Sequence, residues 1–341
     1  MPVHLVQLSG GSNRRVALVE EPHLRCLEGV SSIYELAQEC LQSSSSMGDK
    51  VGVLATGEAL SYEEVYMGRS LWHLLAPIDV PGQPSRVLVS GTGLTHMGSA
   101  REREAMHLAD QTAAPKKDEA LTDSMRMFQW GVEKGRPLEG HAGIAPEWFY
   151  KGDGSCLRAP FEALEIPSHA EDGGEEAELA GIYIIAADGT PFRIGMAQGN
   201  EFSDHVFEKR NYLNLAGSKL RTCSLGPELV ADADFTEVPG NVRLARGAAP
   251  LWQKAIASGE NNMAHSLANL EHHHFKFAGH RQPGSIHVHF YGADALSFGE
   301  GIVLEDGDIA EVRFEGFGRA LRNPIRREPT SDQLVKVKTL A

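Results

Sequence analysis

Residues 174–185 read Gly-Glu-Glu-Ala-Glu-Leu-Ala-Gly-Ile-Tyr-Ile-Ile, and Asp188-Gly189 follows three residues later. The run from Leu179 is apolar and rich in β-formers, which predicts a strand. Asp-Gly is a strong turn signal between two strands, so 192–197 is the expected returning strand of a hairpin. On an extended chain, residues two apart point to the same side. Glu176 and Glu178 therefore project together at the mouth of an apolar strand. Two carboxylates held close raise each other's proton affinity unless a cation neutralises them. Glu171, Asp172 and Glu175 add to the run, so spacing alone leaves two readings open: an oxygen site for a hard cation or a solvated acidic edge.

The rest of the chain fits a globular protein around this hairpin. Its 341 residues suit two domains or one large one with an appendage. Apolar content of 42% against 23% charged is enough for a core without disulfides. The net charge of −14 comes with no basic stripe, which argues against nucleic acid as a partner. It does not argue against an anionic substrate, because a bound dication reverses the local sign. Cys26, Cys40, Cys156 and Cys223 form no Cys-x-x-Cys pair and read as inert thiols. No apolar run approaches the roughly 20 residues of a spanning helix. The N-terminal residues lack the pattern of a signal peptide, and a cytoplasmic placement is expected.

Residues 1–85 read as a small N-terminal domain. Strands are expected from Val3 and over 15–19, helices over 31–40 (with Ser32 as cap) and 62–75, and a loop at 43–49. Pro77, Pro81 and Pro84 mark a connector. A second unit, 86–328, opens with a strand at 86–90 and a Gly-rich loop. Helical spacing follows over 101–108 and, weakly, 125–140. From Tyr150 onward the pattern is mainly β. Residues 329–341 form a polar tail.

Two histidine groups stand near the C-terminal side: His272-His273-His274, and His287-Val288-His289. His287 and His289 share one face of an expected strand. With a third ligand they could hold zinc or iron, as in a cupin-like barrel. That fold normally adds a Glu shortly after such a pair, and 290–294 offers none. The other reading is that these imidazoles line a substrate pocket or hydrogen-bond within the sheet.

The ordered segments together resemble the fumarylacetoacetate hydrolase superfamily, in the branch that handles sugar-acid derivatives. Glu176-Ala177-Glu178-Leu179-Ala180 matches that family's strand-opening Glu-x-Glu-Leu-Ala, which supplies two metal ligands. Asn200-Glu201-Phe202-Ser203 matches its Asn-Asp-x-Ser, with Glu201 in place of the third acidic ligand. Ser218-Lys219 and Gly226-Pro227 match a later segment. Residues 89–100 resemble the Gly-rich loop that carries the family's active-site histidine, here His96. Tyr150-Lys151 matches a substrate-loop lysine segment, and 304–308 and 316–324 match the closing strands. There are two further departures besides Glu201 standing for the usual Asp. Ser99 stands where the family has a Glu three residues after the histidine, leaving Glu102 or Glu104 as substitutes. Gly292-Ala293-Asp294 replaces a Gly-Thr-Pro segment. The resemblance covers about residues 86–326.

The resemblance implies an α+β, mainly β fold: a fumarylacetoacetase C-terminal-like mixed β-roll or barrel behind a small N-terminal α+β domain, assembled as a homodimer. It implies Mg²⁺ (with Mn²⁺ or Ca²⁺ possible) on Glu176, Glu178 and Glu201. The ion would chelate a small-molecule 2-oxo acid and, as a Lewis acid, favour loss of a C3 proton. The expected catalytic groups are Lys219, His96 as general acid/base, and Glu102 as its orienter. Lys151, Ser218, His287 and His289 are the expected substrate contacts. The missing threonine favours a lyase that dehydrates a pentonate-like 2-keto-3-deoxy sugar acid to a 2-oxo semialdehyde. A hydrolase that cleaves a C–C bond of a 2,4-diketo acid is the alternative on the same fold, and a non-catalytic sugar-acid binding protein is the alternative of another class.

Overall fold

The computed structural model describes residues 2–55, 57–98, 100–101, 122–329 and 334–340. In chain order the strands are β1 (Val3–Gly10), β2 (Asn13–Glu20), β3 (His23–Cys26), β4 (Ala59–Ser61), β5 (His73–Leu74), β6 (Val87–Gly93), β7 (Glu147–Asp153), β8 (Leu157–Arg158) and β9 (Leu164–Ile166). They continue as β10 (Ala177–Ile185), β11 (Pro191–Asn200), β12 (Cys223–Leu225), β13 (Leu229–Ala231), β14 (Val238–Arg246), β15 (Ala249–Ser258), β16 (Ile286–Phe290), β17 (Ile309–Phe314) and β18 (Leu321–Arg327). One large mixed sheet runs β4-β3-β2-β1-β13-β11-β10-β16-β6-β7, with β5 on β1 and β12 bridging β11 and β8. A second sheet runs β15-β14-β17-β18-β9. The fold is mainly β, as the sequence predicts. The leading strands join the large sheet through β1 and β13, with Val3 opposite Ala231 and Leu5 opposite Leu229.

β10 is the strand that organises the molecule. It is buried at all nine positions, which a strand covered on both faces requires. Its Ala180, Ile182 and Ile184 enter one core with Val89, Phe290 and the helix Ile33–Ser43, through Ile33, Leu36 and Ala37. Its Ala177 and Leu179 enter another core, which lies against the second sheet through Val242, Leu244, Val312 and Phe314. Truncating a side chain as enclosed as Leu179 costs about 2–5 kcal/mol. Glu178 belongs to the same face as Ala180 and Ile182, at the end where apolar packing stops.

Several boundaries differ from the sequence reading. β10 begins two residues before Leu179, and β11 extends to Asn200, because the ladder continues into the acidic segment: Ala177 pairs with Asn200 and Glu178 with Gly199. The helix expected over 62–75 stops at Tyr66. Gly68 takes φ 69°, a conformation that ends helices readily, and Leu74 instead pairs with Leu8. The loop expected at 43–49 holds the start of a helix, Met47–Leu54, whose N-terminus is capped by Ser46 accepting from the Asp49 amide at 3.1 Å. The helix placed at 125–140 is Asp123–Lys134. Residues 102–108 of the expected 101–108 helix lie outside the described residues.

Candidate active site

The hairpin register assembles the acidic centre. Beyond the Ala177–Asn200 pair, the Glu201 amide donates to the Glu176 carbonyl at 2.9 Å. Glu201 thus lies across the ladder from Glu176, and facing residues share a side of the sheet. Glu178 shares that side by its two-residue offset from Glu176. One ligand oxygen from each of Glu176, Glu178 and Glu201 lies within 4.8 Å of the others. Relative exposures are 6%, 1% and 0%, so the solvated-edge reading of this segment does not hold.

Two buried ammonium groups enter the same space. Lys219 Nζ donates to Glu176 Oε1 at 2.5 Å and Glu201 Oε2 at 2.6 Å. It also lies 4.6 Å from the centre of the Phe149 ring. Lys151 Nζ is 2.7 Å from Glu201 Oε1 and donates to the Phe202 carbonyl. His205 Nε2 lies 3.1 Å from Glu176 Oε1. Glu178 receives none of these groups; the Gly292 amide donates to its Oε2 at 2.7 Å.

This asymmetry divides the carboxylates. Burial opposes ionisation of Glu176, but Lys219 and then His205 overcome it and hold the group well below its ordinary range. Burial, with the charges of Glu176 and Glu201, drives Glu178 well above its own. A buried carboxyl forced towards its neutral form by two like neighbours is a place where a dication supplies the missing counter-charge. The donor set is entirely carboxylate oxygen, which suits a hard ion. The residues fit a divalent cation.

Local backbone features hold the triad in place. Phe202, fully buried and next to Glu201, adopts φ 56°, a region a bulky residue occupies only when its surroundings enforce it. The turn aims Glu201 inward while the Phe202 carbonyl meets Lys151. Asn200 Oδ1 accepts from the Glu176 amide at 3.1 Å, and Ser203 Oγ donates to Glu201 Oε2 at 2.8 Å. Gly292 takes φ 99°, and a Cβ there would stand 2.0 Å from Thr95 Oγ1. That segment replaces the Gly-Thr-Pro of the resembled family, and its glycine amide is what reaches Glu178.

His96 lies beside this segment, buried at 1% exposure. Thr95 Oγ1 donates its proton to the Tyr291 carbonyl at 2.6 Å, since a carbonyl can only accept. Its 2.9 Å contact with His96 Nδ1 is therefore donated by the imidazole. The network assigns the proton to Nδ1 and makes Nε2 the acceptor atom. Burial lowers the His96 pKa to about 4, against an opposing pull from Asp294. Glu102 and Ser99 lie outside the described residues; among the described residues, the Asp294 carboxylate acts on His96.

Other expected contacts lie elsewhere. Ser218 Oγ donates to the Leu215 carbonyl at 2.7 Å, closing its own helical turn. His287 pairs with Tyr183 and His289 with Gly181, on the sheet face opposite Glu178. There the two imidazoles meet the helix Leu267–Phe275, which carries His272, His273 and His274. Trp148 Nε1 donates to His274 Nδ1 at 3.1 Å. His274 Nε2 must then carry the proton and donate to His287 Nδ1 at 2.8 Å. The His274 and His289 rings stack at 4.3 Å, and His289 Nδ1 meets Ser90 Oγ at 2.9 Å. Burial lowers the pKa of His287 and of His289 to about 3 and that of His274 further, with neighbouring imidazoles reinforcing the shift. These groups hydrogen-bond within the fold. Among the described residues, the acidic triad is the one set of three or more metal-type ligands brought together, and none of these histidines belongs to it.

Sequence reasoning missed His205, the Gly292 amide, Asn200 and Phe149. The first could have been sought directly after Ser203-Asp204, a helix-capping pattern that begins two residues past Glu201. What seats its ring over the hairpin is Gly174, where a Cβ would lie 2.1 Å from His205 Nδ1, and that contact has no local sequence signal.

No family model matches the sequence, and no curated protein matches it. Solved structures do. A structure described as 2-keto-3-deoxy-D-arabinonate dehydratase complexed with magnesium and 2,5-dioxopentanoate superposes with a TM-score of 0.68 at 16% identity, covering 95% of this chain and 99% of that one. A fumarylacetoacetate hydrolase from Exiguobacterium antarcticum gives 0.58 at 17%, covering 96% and 100%. A 2-hydroxyhepta-2,4-diene-1,7-dioate isomerase from Mycobacterium marinum gives 0.57 at 17%, covering 96% and 99%. The chain has the fold of the fumarylacetoacetate hydrolase superfamily. The TM-score with the dehydratase structure is higher than with the hydrolase and isomerase structures, and all three matches span essentially the whole molecule.

Proposed function

We propose that the protein is a divalent-metal-dependent lyase that removes water from a 2-keto-3-deoxy sugar acid of pentonate size, giving a 2-oxo semialdehyde. The observation that carries this reading is the buried triad of Glu176, Glu178 and Glu201, bridged by Lys219. The likeness to a dehydratase complexed with magnesium and 2,5-dioxopentanoate supports it. Magnesium held by the three carboxylates would withdraw charge from the substrate's carboxylate and 2-oxo oxygens, which acidifies C3.

The chain's own groups then account for the proton traffic. His96, neutral with Nε2 as its acceptor atom, takes the C3 proton. Lys219, an ammonium between two carboxylates, gives a proton to the departing C4 hydroxyl, which leaves as water; the 3,4-unsaturated acid then reaches the semialdehyde when a C5 proton shifts to C3 and the proton of the resulting C5 enol shifts to C4. Lys151 fixes Glu201 and its turn. Phe149, under the Lys219 ammonium, keeps water from that side.

The neighbourhood of His96 favours a second reading. Asp294 acts on the imidazole, and a histidine beside a carboxylate can activate water for C–C hydrolysis of a 2,4-diketo acid. Incubation with Mg²⁺ and panels of both acid types, read by mass spectrometry with and without chelator, separates the two. A product lighter by one water, lost with chelator, is the expected result. Water uptake followed by two fragments would select the hydrolase. Metal-dependent ligand binding without turnover of any compound would select a binding protein.

A further inference from the structure

Behind the acidic centre lie two sulfurs that the proposed reaction does not use. Cys156 precedes β8 and Cys223 opens β12, the two strands pair in parallel with Cys223 opposite Leu157, and the sulfurs are 3.9 Å apart. The residues are 67 positions apart in sequence, so the fold alone brings them together. Cys223 is fully buried, while Cys156 is partly exposed. The other two cysteines, Cys26 and Cys40, are both buried, and Cys40 meets the Met47 sulfur at 3.7 Å. We infer that Cys156 and Cys223 are a thiol–disulfide pair, with Cys156 the entry thiol and Cys223 the resolving thiol, oxidised by low-molecular-weight disulfides.

A disulfide needs its sulfurs about 2.05 Å apart, a closure of under 2 Å from the present contact by the arithmetic of the two distances. Gly152 lies beside Cys156: a Cβ at that position would stand 3.1 Å from the Cys156 sulfur. The thiols are electrostatically unlike. The Cys223 hydrogen bond, with help from the Lys151 ammonium and against burial, lowers the Cys156 pKa; burial above all raises that of Cys223. The thiolate is the attacking form. The Cys156 thiolate attacks one sulfur of the small disulfide, forming a mixed disulfide and releasing one small thiolate. Cys223 then attacks the Cys156 sulfur, forming the protein disulfide; the second small thiolate leaves and takes up the Cys223 proton. Two protein thiols are oxidised and one small disulfide is reduced to two thiols.

The test is incubation of the native protein with oxidised glutathione, followed by intact-mass measurement and non-reducing peptide mapping. Expected is a loss of two hydrogens, mapped to a Cys156–Cys223 cross-link and reversed by dithiothreitol. Cys223→Ser should stop at a glutathionyl adduct on Cys156, and Cys156→Ser should remain unmodified, with circular dichroism confirming that both variants fold. A stable glutathionyl adduct on the wild-type protein, modification elsewhere, or no reaction would each overturn the assignment.

Discussion

The sheet through β10 carries a buried polar cluster on each face, and the two are built on opposite principles. On one face, three carboxylates meet two ammonium groups and an imidazole that Glu176 draws towards its charged form. On the other, His274, His287 and His289 cluster as neutral rings, with the tautomers of His274 and His287 fixed in sequence from the Trp148 indole. The same period of two that gathers Glu176 and Glu178 sends His287 and His289 away from them. Buried charge survives where partners or a cation balance it; buried imidazoles without carboxylates survive by losing charge. The first arrangement can do chemistry on an anion. The second holds the sheet against the helix Leu267–Phe275.

The largest expected difference comes from removing charge on the first face. Glu201→Ala takes from Lys151 its carboxylate partner, leaves Lys219 with Glu176 alone, and should destabilise the fold by about 3–5 kcal/mol while abolishing metal-dependent turnover. Urea unfolding and the product assay read the two effects separately. Next, Lys219→Met should lower kcat by about 10²–10⁴-fold if the ammonium acts as general acid. A change in KM alone would remove that role and weaken the contrast between the faces.

The second face should declare itself through pH. The pKa of His287 and of His289 is about 3 and that of His274 is lower still, against roughly 6.5 in an unfolded chain. Below that unfolded value the unfolded state binds more protons than the folded one, so stability falls as pH drops from about 6.5 towards 3. Each imidazole contributes up to about 1.4 kcal/mol per pH unit. His287→Gln should make the pH dependence of the urea midpoint shallower over that window, and an unchanged slope would contradict the neutral-stack account. The smallest effect is Trp148→Phe, which removes the donor that starts the chain of tautomers and should cost about 0.5–1.5 kcal/mol with turnover little changed.

The acidic centre was readable because its signals are local. Glu-x-Glu at the mouth of an apolar run and the Asp-Gly turn placed Glu176 and Glu178 side by side; Glu201 came from the resemblance of Asn200-Glu201-Phe202-Ser203 to the family's segment, and the hairpin register brings it to them. The length of the helix from Tyr62 was not readable: apolar spacing continued past Gly68, whose positive φ ends the helix, and the sheet claimed Leu74. Nor was the placement of the histidines. His287 and His289 were correctly assigned one face of a strand, but which face depends on pairing with β10, more than a hundred positions away in sequence. His205 and Gly292 reach the carboxylates through tertiary approach, which no motif encodes.

The most direct test of the metal-centre claim is titration of the purified protein with Mn²⁺, followed by electron paramagnetic resonance, alongside the near-isosteric Glu178→Gln. The account predicts one tightly bound ion per chain in the wild type and loss of that site in the variant, with His287→Gln unaffected. A wild type that binds no ion, or a site that survives Glu178→Gln and disappears with His287→Gln, would contradict it.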